Sequence, residues 1–139
     1  MKKVFCIGEL LIDFVGQGGH LSLTKTDQLL KKAGGAPANV AAAVSRLDGY
    51  SYFVGAVGSD PFGNFLTETL EEEGVGTDFL QQVSTFTTLA FVNLGADGER
   101  DFVFSRGADR ELTYDRALAD QIAGQIVHFG AATSFLGGS

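Results

Sequence analysis

Two rhythms alternate along this chain. Short unbroken apolar runs give way to stretches in which apolar residues recur every third or fourth position. Residues 3–8 form the first run and end on Gly8, as a buried strand entering a loop would. Leu10 to Val15 continues apolar but contains Asp13, and a carboxylate in such a run needs partners because burying it alone is costly. Gly16 to His20 reads as a turn, and Asp27 to Ala33 as a returning strand. Gly34-Gly35-Ala36-Pro37 then opens a helix over Ala38 to Leu47, with Val40, Ala43, Val44 and Leu47 on one face. Tyr52 to Val57 is the next strand.

A second helix starts at Ser59-Asp60-Pro61, with Asp60 as cap and Phe62, Phe65, Leu66 and Leu70 as its stripe. Gly74 ends it, after a solvated Glu71-Glu72-Glu73. Thr87 to Leu94 and Arg100 to Ser105 are apolar-rich runs joined by Gly95-Ala96-Asp97-Gly98-Glu99, the signature of an antiparallel hairpin. Leu112 to Ile122 is expected to be helical, and Ile126 to Phe129 a short strand ending at Gly130. Alternating strands and helices favour a parallel α/β core, while the hairpin strands belong to a separate sheet. The last strand has no helix after it, so the core reads as cut in mid-sheet before Gly137-Gly138-Ser139.

Composition narrows the partners. A net charge of −7, spread rather than blocked, offers no cationic surface for nucleic acid. The single cysteine, Cys6, excludes an intrachain disulfide and reads as a small buried hydrophobe. The apolar run after Lys2-Lys3 is too short for a signal sequence or membrane span, so no membrane is expected and the protein is expected in the cytoplasm. His20 and His128 lack any paired metal spacing, and Gly16-Gln17-Gly18-Gly19 lacks that of a dinucleotide loop.

The residues with chemistry to offer are Asp13, the pair Gly34 and Gly35, and Asn39 in the first helical turn. A carboxylate accepts hydrogen bonds from neighbouring hydroxyls, an amide both donates and accepts, and paired glycines admit a ligand to the main chain. That set suits a polyol. Each residue taken singly also suits a plainer role, as a strand-end acid, a turn or a cap.

The segment Gly34-Gly35-Ala36-Pro37-Ala38-Asn39-Val40-Ala41, then Arg46-Leu47, then Phe53-Val54-Gly55-Ala56-Val57-Gly58-Ser59-Asp60-Pro61-Phe62-Gly63 resembles the first motif of the ribokinase-type (PfkB) carbohydrate kinases. Gly8-Glu9-Leu10-Leu11-Ile12-Asp13-Phe14 looks like that family's opening strand and sugar-binding aspartate. Thr87 to Val92 and Gly98 to Phe104 are similar to the lid strands of its fructokinases. These segments occur in family order.

The resemblance implies a Rossmann-like ribokinase-type α/β core, present in part, with a small β-sheet lid. Residues 1–139 would be the N-terminal part of one kinase domain, with lid strands near 11–17, 28–33, 87–94 and 100–106. It implies phosphoryl transfer from ATP with Mg2+ to a sugar hydroxyl, fructose first, with 2-keto-3-deoxygluconate, ribose and aminoimidazole riboside as alternatives. Asp13, Gly34, Gly35 and Asn39 would hold sugar hydroxyls. Phe104 and Arg106 are further candidates from the lid, the plainer readings being a packed aromatic and a solvated arginine.

The family's second motif, Asp-Thr-x-Gly-Ala-Gly-Asp, carries its anion hole and catalytic base and is absent from these residues. Gly95-Ala96-Asp97-Gly98 and Gly107-Ala108-Asp109 imitate it without opening an apolar helix. The chain alone is therefore expected to be inactive, its ATP site lying largely elsewhere. A homodimer through the lid is expected, motivated by Phe91, Phe102 and Phe104. A non-catalytic sugar-binding or dimerising module is the alternative from another class. Asp48 stands where the family usually has glycine, at the end of the first helix, and aspartate tolerates the left-handed conformation needed there.

Overall fold

The computed structural model describes residues 1–19, 22–94 and 100–130. The expected turn at Gly95–Glu99, His20 and the final Gly137-Gly138-Ser139 lie outside the described residues.

Two four-stranded sheets share the chain. The first is all parallel, in the order β5 (Leu80–Val83), β4 (Tyr50–Gly58), β1 (Lys3–Ile7), β8 (Ile126–Phe129). The second follows the order β3 (Leu29–Gly34), β2 (Leu11–Gly16), β6 (Leu89–Leu94), β7 (Arg100–Ser105), with only the β2–β6 pair parallel. Strand alternation divides the core between the faces of the first sheet. Cys6, Phe53 and Val57 pack under α1 (Ala36–Arg46) and α2 (Pro61–Glu72), whereas Phe5, Ile7 and Val54 pack with Leu118 of α3 (Arg116–Ile122). The result is a helix–sheet–helix sandwich. Burial pushes the Cys6 thiol up to about 11, which fits an inert core residue.

Side-chain caps set the helix starts. Asp60 accepts from the Gly63 N–H at 2.8 Å with Pro61 beside it, and Asp115 accepts from the Leu118 N–H at 2.8 Å. The latter corrects the expected helix over Leu112–Ile122. Gln81 binds the backbone N–H and C=O of Thr113, holding that segment extended along β5 until Asp115 caps the shorter α3. Strand β5 itself escaped the sequence pattern, because Leu-Gln-Gln-Val is half polar and lies at a sheet edge.

The face of α1 also differs from expectation. Pro37, Ala38 and Ala41 are the buried positions, while Leu47 is 83% exposed. Small residues let this helix lie close on β1 and β4, with Val40 packed at the margin of the core and Leu47 left outside it. Its end is a Schellman turn: Asp48 has φ 63°, the Asp48 N–H donates to Ser45 O (3.0 Å) and the Gly49 N–H to Val44 O (2.9 Å).

Candidate functional site

Two sheet crossings bring the predicted residues into one neighbourhood. Strand β2 leaves the core through Gly8-Glu9-Leu10, and β3 returns to it through Gly34-Gly35. Register then lays Lys32, Asp13, Ala90 and Phe104 in one row across the second sheet, with side chains on a common face. The opposite face turns toward α2, with Phe14 stacked on Phe91 at 5.4 Å and set edge-on to Phe62 at 5.7 Å. This corrects the grouping of Phe91 with Phe102 and Phe104, since Phe91 pairs with Val103 on the inner face.

Asp13 is half-buried and lies directly over Gly34. A Cβ at Gly34 would come within 2.2 Å of Asp13 Oδ2, so glycine is what leaves room for the carboxylate. Gly35 has φ 111°, and a Cβ there would meet Glu9 O at 2.4 Å; glycine satisfies the dihedral and the close approach together. Burial raises the Asp13 carboxyl above the usual carboxylate range, Glu9 adds to this, and Lys32 opposes it.

Glu9 is 4% exposed and was not singled out from the pattern. Its only sequence signal is an acid between two apolar runs. Asn39 is exposed on the first turn of α1, where its N–H donates to Gly35 O at 3.1 Å, and with Gly34 it lines a cleft of about 160 Å³ between α1 and α2. Gly34 is therefore common to the Asp13 face and the Asn39 cleft.

The two residues proposed from the hairpin diverge. Phe104 is half-buried, its ring 4.6 Å from that of Phe102, and it shares the row of Asp13. Arg106 lies beyond the end of β7. Its side chain is 5% exposed, not solvated, and its Nε donates to Asp109 Oδ2 at 2.9 Å. Gly107-Ala108-Asp109 leads into a 3₁₀ turn, Ala108–Glu111, and Asp109 is occupied by Arg106 and by the Thr88 hydroxyl, which donates to it. Among the described residues no three or more His, Cys, Asp or Glu gather as metal ligands.

Asp13 offers a half-buried carboxylate, Gly34 and Gly35 beside it offer main chain free of a Cβ, and Phe104 in the same row offers an aromatic ring, the elements of a polyol site. The sequence profile described as pfkB family carbohydrate kinase matches residues 1–137. The chain belongs to this family. A fructokinase of Solanum tuberosum is 46% identical over 132 residues, which cover 92% of the chain and 41% of that enzyme. The chain thus spans less than half the length of this pfkB relative. Among solved structures, the fructokinase of Halothermothrix orenii superimposes with a TM-score of 0.82 at 30% identity, over 91% of this chain and 45% of the other. An uncharacterised sugar kinase of Pyrococcus horikoshii, solved in complex with ATP, gives a TM-score of 0.79 at 34% identity, over 91% and 42%. These likenesses extend across both sheets of the pfkB fold.

Proposed function

We propose that this chain forms the sugar-binding half of an ATP-dependent kinase that phosphorylates fructose. The observation that carries the reading is the Asp13 carboxylate lying over Gly34, where a Cβ would displace it, with Phe104 in the same row. The second sheet acts as the lid. Asp13 accepts hydrogen bonds from sugar hydroxyls, the main chain at Gly34 and Gly35 approaches the ring, and Asn39 contributes its amide from the helix start.

The identity to fructokinases supports fructose over the alternative sugars. ATP and Mg2+ supply the phosphoryl group and neutralise its charge; the anion hole and base of the family's second motif are not in this sequence, so the 139 residues alone bind sugar without turning it over. In the whole protein we place the enzyme in the cytoplasm and its lids face to face in a homodimer.

The test is an ATP-dependent phosphorylation assay of the full-length gene product against fructose, ribose, aminoimidazole riboside and 2-keto-3-deoxygluconate. Fructose is expected to have the highest kcat/KM. A negligible rate with fructose beside a high rate with the keto-deoxy acid would overturn the substrate, and no phosphorylation of any sugar would overturn the class.

A further inference from the structure

The chain enters the second sheet at Thr87-Thr88 and leaves it at Arg106–Asp109, and at this crossing the two threonines face opposite ways. Thr87 is tied to the core. Its N–H donates to Asp60 Oδ2 at 2.9 Å and its hydroxyl to Asp60 Oδ1 at 2.8 Å, while its Oγ1 accepts from the Gly58 N–H at 2.9 Å. Thr88 is tied to the returning chain. Its hydroxyl donates to Asp109, and its Oγ1 accepts from the Gly107 N–H at 3.0 Å; the Ala108 N–H donates to Phe86 O at 2.7 Å.

Capping α2 needs only one oxygen of Asp60, so the second is available to hold the strand entry. The packing leaves no slack. A Cβ at Gly63 would lie 2.1 Å from Gly58 O, and one at Gly107 2.1 Å from Phe86 O. Both threonines are buried, at 1% and 0% exposure, so these bonds do not compete with water. The crossing at Glu9 and Gly35 likewise brings backbone against a glycine, and the buried threonine hydroxyls with their carboxylate partners are what the Thr87-Thr88 crossing adds.

We propose that Thr87-Thr88, clamped between Asp60 and the Asp109–Arg106 pair, is the joint that fixes how the β6–β7 hairpin stands over the core, and that Thr88 is a positioning residue for the sugar. Ala90 lies two residues beyond Thr88, and Phe104 two residues before Arg106, both in the row of Asp13. A shift at the joint therefore changes the span between the carboxylate and the aromatic ring. The sugar part of this inference rests on the reading given under Proposed function.

The experiment compares Thr88→Val, which keeps the shape and removes the hydroxyl, with Thr88→Ser, which keeps the hydroxyl, in the full-length protein. Amide hydrogen exchange is expected to quicken about tenfold or more in β6 and β7 of the valine variant, with α1 and β4 unchanged. KM for fructose is expected to rise about tenfold, with KM for ATP within about twofold and the serine variant restoring both. Uniformly faster exchange throughout the core, or an unchanged fructose KM, would sink the proposal. If the wild type phosphorylates no sugar, the functional reading fails and the exchange pattern alone judges the joint. Should the valine variant not fold, Asp109→Asn retains an acceptor for Thr88 while losing the charge opposite Arg106, and the same local exchange pattern is expected.

Discussion

On the proposed reading, Asp13 couples sugar recognition to stability through its ionisation. Burial and Glu9 hold its pKa above the usual range, so the charged form is disfavoured in the folded protein. The sign follows from linkage: a raised folded pKa contributes stability at low pH, below the unfolded value of about 3.9, that is lost as pH rises through the folded value. Asp13→Asn is therefore expected to raise Tm at neutral pH, with the gain vanishing in acid, as thermal melts at both ends of the range would show. The same substitution should weaken fructose binding by about 1.5–3 kcal/mol, measured by titration calorimetry on the full-length protein, because bonds to a charged acceptor are the stronger kind. Gain in one and loss in the other is the mark of a binding residue. Gly34→Ala tests the same neighbourhood from the other side. Its Cβ would displace the carboxylate, so sugar affinity should fall about tenfold or more with a smaller change in Tm than a core mutation causes. At Asp48, φ 63° sets two terms against each other: relief of left-handed strain, about 1–2 kcal/mol for an ordinary residue, and the added unfolded-state entropy of glycine, about 0.4–1 kcal/mol. Aspartate tolerates the left-handed region better than an ordinary residue, so the two terms nearly cancel and Asp48→Gly should change stability by less than about 1 kcal/mol in urea denaturation.

Among the elements, α2 depends most on one side chain. Burial by itself would raise the Asp60 carboxyl, but hydrogen bonds from the Gly63 N–H and from the N–H and hydroxyl of Thr87 outweigh this and hold it below the usual range. A depressed pKa contributes stability above the unfolded value that is lost as pH falls through the folded value. Asp60→Ala should cost about 2–4 kcal/mol at pH 7, the sum of a lost cap and a buried N–H left without its acceptor, and the difference from wild type should shrink in strong acid. Urea titrations at neutral and acid pH check both parts. The ion pair that links the two helices carries less. Arg46 and Glu73 meet at 2.6 Å between the ends of α1 and α2, but the pair is exposed and screened. Element placement was legible where the signal was local: Asp60-Pro61 located α2, and the glycine-rich run before Ala38 located α1. It failed where a side chain from elsewhere decided, as when Gln81 held Thr113 and shortened α3.

For the molecule as a whole, the outer face of the second sheet is the feature left to explain. Leu30 and Phe102 are each nearly half exposed on the face that carries Asp13, with Val15 and Val92 between them in the same row. If the lids of two subunits meet here, the full-length protein should run as a dimer in light scattering, and Phe102→Glu should raise the dissociation constant at least about tenfold. A monomer at high concentration would count against it. The sequence by itself determined the α/β class and most strands and helix starts, and it pointed to Asp13, Gly34 and Gly35 as candidates, because apolar period, capping residues and paired glycines are local signals. Tertiary structure alone decided which face of α1 is buried, that Phe91 points inward, and that Arg106 pairs with Asp109. Those outcomes depend on strand register and on the four places where the chain passes between the sheets, and such contacts join residues whose spacing in sequence carries no periodic trace. The joint at Thr87-Thr88 belongs with them: its two hydroxyls look alike in the sequence, and only the crossing gives each its own partner.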